Sequence, residues 1–149
     1  MSLEGQAFYP GEKASPQDVL ALANAFADRA PLLLEGLKRT PNVAKAPFRL
    51  VAIHAIELYL NAYLLNCGCS GPEIRGYQHN LGKRLKQAEI KDLKLRKKTL
   101  DHLHELTKCR EYLTSRYDPS DPGSSPLTRL KASLQDVRKK VSQKIQAEP

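Results

Sequence analysis

The stretch FRLVAIHAIELYLNAYLL, from Phe48 to Leu65, decides the fold of this 149-residue chain. It is apolar on nearly every side of a helix, and a helix of that kind is normally buried among other elements. His54, Glu57 and Asn61 interrupt it, and offsets of three and four residues place them on one helical face. A carboxylate in a buried helix needs a partner or loses its charge, so we expect Glu57 to organise its surroundings.

The composition is that of an ordinary folded protein, with 41% hydrophobic and 27% charged residues. A chain of this length typically forms one domain with a single core. We therefore predict one domain over residues 1–149, with a core at about 15–146 and a flexible N-terminal arm at 1–14. Polar residues interrupt the long apolar run, so we expect neither a membrane span nor a targeting segment, and a cytoplasmic location.

The cysteines are few and odd in number, at Cys67, Cys69 and Cys109. Reduced thiols are therefore expected rather than a disulfide framework. The spacing of Cys67 and Cys69 is too close for the usual zinc knuckle, and a fourth ligand would have to come from His79 or elsewhere. We expect neither a metal nor another cofactor.

Helix start and stop signals predict an all-α, up-and-down bundle of about five helices. Ser15 as N-cap, followed by Pro16 and Asp18, opens the first helix, which is expected to run to about Lys38. Pro31 lies inside that span and either kinks the helix or splits it in two.

Four further helices follow in the sequence. The central helix is predicted from Pro47 to near Gly68, and a short one begins after Asn80 as N-cap, with Leu81, Leu85 and Ala88 on one face. The fourth and fifth are predicted at about Asp92–Ser115 and Leu127–Gln146, and residues 69–78 and 118–126, rich in Gly, Pro and Ser, are expected to be loops.

Positive charge is concentrated in one part of the sequence. The formal net charge is +8, and residues 83–98 hold eight basic residues against two acidic ones. Such an excess favours nucleic acid first and a membrane surface second, or else it belongs to a solvated helix face. The candidate phosphate-binding residues are Lys83, Arg84, Lys94, Lys97 and Lys98.

Three strings, AIELYLNAYLLNCG at 55–68, HNLGKRLKQA at 79–88 and YLTSRYDP at 112–119, resemble the HEPN domain. The resemblance covers about residues 51–119. Proteins of that family are bundles of about five helices that often dimerise. Some are ribonucleases of toxin or defence systems, whereas others pair with nucleotidyltransferases or bind ligands without catalysis. The resemblance therefore implies a homodimer with a nucleic-acid, nucleotide or nucleotidyltransferase partner.

The resemblance also assigns positions to single residues. It places Glu57 at the acidic position of the family's second helix and His79 at the histidine that opens the third. Tyr112, Arg116 and Tyr117 match the Tyr-x-x-x-Arg-Tyr pattern that closes the fourth helix. The family's ribonuclease motif, Arg followed by four to six residues and His, does not occur there.

The missing histidine weakens the prediction of an enzyme. Metal-independent RNA cleavage needs a group that exchanges a proton near the working pH, which imidazole does and guanidinium does not. Arg116 stands where the histidine is expected after Arg110, and Arg75 precedes His79 by one residue too few. An atypical ribonuclease site would use Arg75, His79, Arg110 and Arg116.

Glu57 has two interpretations from the sequence. In the first, it forms a buried ion pair with Arg110 or Arg116 and so sets the register of two helices. In the second, these residues line a cleft where guanidinium groups meet a phosphate. The residues predicted to organise or bind are His54, Glu57, Asn61, Arg110, Tyr112, Arg116 and Tyr117.

Three functions remain in view. The favoured one is a non-catalytic HEPN-type module that binds nucleotide or RNA phosphate, or a partner protein, in a toxin-antitoxin or defence-like system. The second is an atypical metal-independent HEPN ribonuclease. The third is a helical adaptor in which the basic charge serves only solubility.

Overall fold

Seven α-helices build the part of the chain that the structure describes. It is a computed structural model and describes residues 9–37, 40–120 and 125–147. No strand occurs in those ranges, so the predicted all-α class is confirmed, with seven helices where about five were predicted. The helices are α1 (Pro16–Arg29), α2 (Ala46–Asn66), α3 (Gly71–Arg75), α4 (Leu81–Ile90), α5 (Lys97–Lys108), α6 (Glu111–Tyr117) and α7 (Leu127–Ala147).

The central element of the bundle is α2, which packs against α1, α4, α6 and α7. Its side chains are buried around almost the whole circumference, including Phe48, Ile56, Tyr59 and Leu64. This is the environment that an apolar sequence on all sides of a helix requires. The predicted bounds of α2 and α7 are confirmed to within two residues.

The stretch Asn42–Asn66 is long and apolar enough to cross a membrane by length and composition. However, 67% of its most apolar 18-residue segment is buried inside the bundle. The core helix of a bundle has the same properties, so the stretch is weak evidence for a membrane span.

A capping box starts α1, as the sequence predicts. The Ser15 hydroxyl accepts a hydrogen bond from the Asp18 amide, and the Asp18 carboxylate accepts one from the Ser15 amide, each at 3.0 Å. The helix ends at Arg29 and continues as a 3-10 turn at Ala30–Leu34. Pro31 lacks the N–H that the α-helix needs, so it splits the predicted helix, and the expected run to about Lys38 is wrong.

The predicted fourth helix begins later than expected. Asp92 has a φ of 74°, and the Leu93 N–H donates back to α4 at 2.9 Å, which closes that helix. The amide of Arg96 then donates to the carboxylate of Asp136 from α7 at 2.9 Å. The predicted start at Asp92 is wrong, because a left-handed residue ends α4 and α7 caps the entry to α5.

The same predicted helix also breaks near its end. Arg110 adopts a left-handed conformation with a φ of 52° between α5 and α6. The next residue, Glu111, is fully buried and pairs with Arg49 of α2 at 3.4 Å. A left-handed conformation is unfavourable for arginine and does not occur inside a continuous α-helix. It lies directly before Glu111, the residue that is placed beside α2.

Two predicted loops also differ from the structure. Residues 71–75 form α3, because Ser70 caps the Glu73 amide at 3.2 Å and Pro72 lies in the first turn. Within the predicted loop at 118–126, residues 121–124 lie outside the described residues. Ser125 is buried rather than exposed, since its hydroxyl donates to Glu111 at 3.0 Å.

Candidate functional site

An open cleft lies where α1, α2, α3 and the start of α4 meet. Its volume is about 590 Å³, within the usual range of small-molecule sites. One wall is apolar and includes Leu22 of α1, Leu58 of α2 and Ile74 of α3. The polar wall consists of the side chains of Glu57, Asn61, Arg75, His79 and Arg84. All five were functional candidates from the sequence, although Arg84 was assigned to a different surface.

Glu57 and His79 form the central polar contact of this wall. His79 Nδ1 lies 3.2 Å from Glu57 Oε1. A carboxylate only accepts, so Nδ1–H of His79 is the donor, and Nε2 remains for another partner. The side chain of Glu57 is 13% exposed and that of His79 is 52% exposed. The imidazole is therefore accessible while the carboxylate that orients it is mostly covered.

The predicted ion pair of Glu57 with Arg110 or Arg116 is wrong. Both arginines are exposed, and neither forms a salt bridge with Glu57 in the described residues. The physical reason is the chain segment before α4, which brings His79 onto the polar face of α2. The imidazole then takes the position that the sequence assigned to a guanidinium group.

Arg84 belongs to the cleft and not to an exposed surface shared with the other candidate phosphate-binding residues. It is 3% exposed, because it shares a face of α4 with the buried Leu81, Leu85 and Ala88. Its Nε donates to Asn61 Oδ1 at 2.7 Å, and its Nη1 donates to the carbonyl of residue 80 at 3.4 Å. Burial lowers the pKa of Arg84, and the charge of Glu57 opposes that shift.

The chain before α1 closes one end of the cleft. Arg75 Nη1 lies 3.4 Å from Glu12 Oε1, and the Arg75 guanidinium carbon lies 4.6 Å from the centre of the Tyr9 ring. Tyr9 and Glu12 thus contact α3, and residues 9–12 and 14 line the cleft. Residues 1–8 of the predicted N-terminal arm lie outside the described residues, and the extent of the single domain stays a prediction.

Three more candidates, His54, Tyr112 and Arg116, do not line the cleft, although Tyr112 contacts His79. The Tyr112 ring lies 5.2 Å from the His79 ring at an angle of 31°. His54 meets Phe26 edge-on at 4.7 Å. The pKa of His54 is lowered, mainly by burial. The charge of Glu57 opposes this shift, whereas Arg116 and His79 add to it. Arg116 therefore acts on His54 rather than pairing with Glu57.

Two further candidates also lie outside the cleft. Tyr117 is 76% exposed at the end of α6. Arg110 is exposed at the turn between α5 and α6. Neither lines the cleft, and Arg116 does not line it either, so this cleft is not the one that the second interpretation of Glu57 predicted.

The charges that line the cleft are nearly balanced. Arg75 and Arg84 face Glu12, Asp18 and Glu57, and His79 adds a positive charge only when protonated. A site built for phosphate alone would hold an excess of positive charge. This cleft instead combines hydrogen-bonding groups with an apolar wall.

The other basic candidates lie on an exposed surface of α4, α5 and the segment between them. Lys94 lies 3.7 Å from Asp92, and Lys97 lies 3.2 Å from Asp101. Lys83 and Lys98 are also exposed. This basic surface, defined by Lys83, Lys94, Lys97 and Lys98, is partly neutralised by acidic neighbours.

Sequence reasoning missed two buried polar contacts. Arg49 and Glu111 are 5% and 0% exposed and link α2 to α6. His102 is 6% exposed, and its Nδ1 lies 2.7 Å from the hydroxyl of Ser133. Arg49 interrupts an apolar run, which was an available signal, whereas nothing in the sequence near Glu111 indicates its burial.

Comparisons with family models, with curated proteins and with solved structures gave no match to this chain. Within the described residues, no group of three His, Cys, Asp or Glu side chains could hold a metal ion. The three cysteines form no disulfide.

Proposed function

We propose that this protein is a non-catalytic HEPN-type module that binds a nucleotide or a single-stranded RNA segment in the cleft. The observation that carries the proposal is the buried guanidinium of Arg84, which lines a cleft of about 590 Å³ together with Glu57 and Asn61. Sites for small ligands are mostly apolar, with a few fixed polar groups. The cleft has this composition.

Single-stranded RNA offers chemical groups for both the cleft and the basic surface. Proteins that read single strands take an unstacked base into a pocket and hydrogen-bond its edges. The exposed lysines of the basic surface supply contacts to the backbone, which is a separate and salt-dependent contribution. The near-neutral cleft thus fits a base, and the basic surface fits the phosphate backbone of the same RNA strand.

The resemblance supplies the wider context of the proposal. We place the protein in a toxin-antitoxin or defence-like system, as a homodimer or beside a nucleotidyltransferase partner. These assignments rest on the three matching sequence strings alone. Chromatography coupled to light scattering tests the homodimer, and a monomer at all concentrations would contradict it.

The experiment for the main proposal blocks the cleft without touching the core. Leu22 lines the cleft and is 49% exposed, whereas Leu32 is 48% exposed and is not among the residues that line the cleft. We expect Leu22→Trp to weaken binding of fluorescein-labelled single-stranded RNA by about tenfold or more, and Leu32→Trp to bind like the wild type. Equal affinities of the two variants would contradict binding in the cleft.

A second function is favoured by one observation, the contact of Glu57 with His79. An accessible imidazole oriented by a covered carboxylate is a suitable general base. Nε2 would take the proton of an RNA 2′-OH, and the 2′ oxygen would attack the phosphorus to form a 2′,3′-cyclic phosphate. The bond from phosphorus to the 5′ oxygen would break, and the 5′ oxygen would leave with a proton from water. Of the four arginine and histidine residues in the predicted ribonuclease site, Arg75 and His79 line the cleft.

Cleavage of single-stranded RNA in the presence of a chelator separates the two functions. The binding module predicts no cleavage by the wild-type protein. A ribonuclease predicts cleavage that is lost in His79→Ala and retained in His104→Ala, since His104 is exposed on α5. Cleavage that survives His79→Ala would exclude the proposed catalytic contact.

A further inference from the structure

The polar wall of the cleft holds hydrogen-bonding atoms with no partner in the described residues. Glu57 Oε1 accepts from His79, which leaves Oε2 open. Asn61 Oδ1 accepts from Arg84, which leaves the two N–H groups of Nδ2 open. One acceptor and one amide donor, one helical turn apart on α2, therefore face the cleft.

Arg84 adds a fixed cationic donor to this pair. Its two hydrogen bonds use Nε and one N–H of Nη1, so Nη2 makes no hydrogen bond to the described part of the chain. A guanidinium has five N–H donors, and a buried one requires partners for them. The contact with Asn61 fixes the position of the group before any ligand arrives.

We propose, on the basis of the proposed function, that the cleft selects guanine among the four RNA bases. Guanine offers two neighbouring acceptors, O6 and N7, to a guanidinium, and this is the commonest specific contact of arginine with a base. Next to O6 it offers the N1–H and N2–H donors, which a carboxylate accepts. Adjacent Arg84 and Glu57 match adjacent edges of this one base.

The other bases leave unfavourable contacts in the same orientation. Adenine places an N6 amino donor where guanine has O6, so it opposes the Arg84 and Asn61 donors. Uracil offers one N–H and cytosine one amino group, and neither has the N7 acceptor. A buried polar group without a partner costs more than a hydrogen bond contributes, and this difference gives selectivity.

The apolar wall and the charge balance support a base rather than a phosphate as the bound group. Leu22, Leu58 and Ile74 provide a surface for the flat face of a base, as in sites that hold an unstacked nucleotide between apolar side chains. The carboxylates of Glu57 and Asp18 would repel a phosphate at the same place. The phosphate is therefore assigned to the outside of the cleft.

Titration calorimetry with mononucleotides tests this inference on the wild-type protein. We expect GMP to bind about tenfold or more tighter than AMP, CMP and UMP, because each paired contact to a base discriminates by roughly fivefold to a hundredfold. IMP, which lacks the N2 amino group, is expected to bind between GMP and AMP. Inorganic phosphate is expected not to compete with GMP.

Two variants test whether Glu57 determines the preference for guanine. The isosteric change Glu57→Gln is expected to remove the preference for GMP over AMP, whereas Glu89→Gln on the exposed side of α4 is expected to keep it. Equal binding of the four mononucleotides, or full competition by phosphate, would overturn guanine selection and leave RNA binding in place. Absence of binding to any nucleotide and to RNA would overturn both proposals.

Discussion

Glu57 of α2 and His79 before α4 share a hydrogen bond of 3.2 Å at the edge of the cleft. The contact joins the middle of the most buried helix to an exposed imidazole. It explains how a polar stripe is tolerated on α2, because Glu57 meets His79 and Asn61 meets Arg84. The polar stripe thus forms one wall of the cleft.

We expect the Glu57–His79 pair to contribute little to stability. His79 is half-exposed, and exposed ion pairs are worth about 0–1 kcal/mol. A double-mutant cycle with Glu57→Gln and His79→Gln, measured by urea denaturation, should give a coupling energy below about 1 kcal/mol. A coupling of about 3 kcal/mol would show that the pair is primarily structural.

The Arg49–Glu111 pair is expected to behave in the opposite way. Both residues are buried, and removal of Arg49 leaves the buried Glu111 carboxylate without its guanidinium partner. Arg49→Met should lower the free energy of unfolding by about 3–5 kcal/mol, whereas Arg49→Met combined with Glu111→Leu should cost less. A double variant less stable than the single one would contradict this account.

His102 should make stability depend on pH. Burial lowers its pKa from 6.5 to about 4, with smaller contributions from Arg129 and Arg49, and Glu105 opposes the shift. As the pH falls, the unfolded state therefore takes up a proton on His102 at a higher pH than the folded state does. His102 thus stabilises the fold above pH 6.5, and that stability is lost as the pH falls toward 4.

Urea denaturation between pH 7 and pH 4 measures this effect of His102. The loss should be on the order of 2 kcal/mol and should be reduced in His102→Gln. The matched control is His104→Gln on the exposed face of α5, which should keep the wild-type pH dependence. The same loss of stability in His102→Gln would contradict the assignment.

The basic surface should add a salt-dependent contribution to RNA binding. Lys83 and Lys98 are exposed, so Lys83→Ala with Lys98→Ala should weaken binding and reduce the slope of log K against log salt by about 0.7 for each lost phosphate contact. The control pair Lys131→Ala with Lys139→Ala on α7 removes the same charge. An equal loss in both pairs would indicate a general charge effect.

Local signals in the sequence were enough to predict most of the helices. The Ser15 and Asn80 caps and the apolar pattern of α2 and α7 depend on neighbouring residues, so they can be read from the chain. The break at Arg110 could not be predicted, because the residue that follows it, Glu111, pairs with Arg49, 62 positions away in the sequence. Arg84 was likewise assigned to the surface, because its partner Asn61 lies 23 positions away in the sequence.

The candidate site was predicted in part. The stripe of Glu57 and Asn61 follows from helical spacing, but their partners come from a segment some twenty residues away. Spacing along one helix does not say which segment will cover it. The segment between α2 and α4, which includes α3, brings His79 to Glu57 in place of Arg110 or Arg116.

The most direct test of the account is a nuclear magnetic resonance titration of the ¹⁵N-labelled protein with a short guanine-containing single-stranded RNA. The account predicts the largest amide shifts around the cleft, at Leu22, Leu58 and Ile74, with smaller shifts at Lys83 on the basic surface. Shifts confined to α7, or to the basic surface without the cleft, would contradict the claim that the cleft is the binding site.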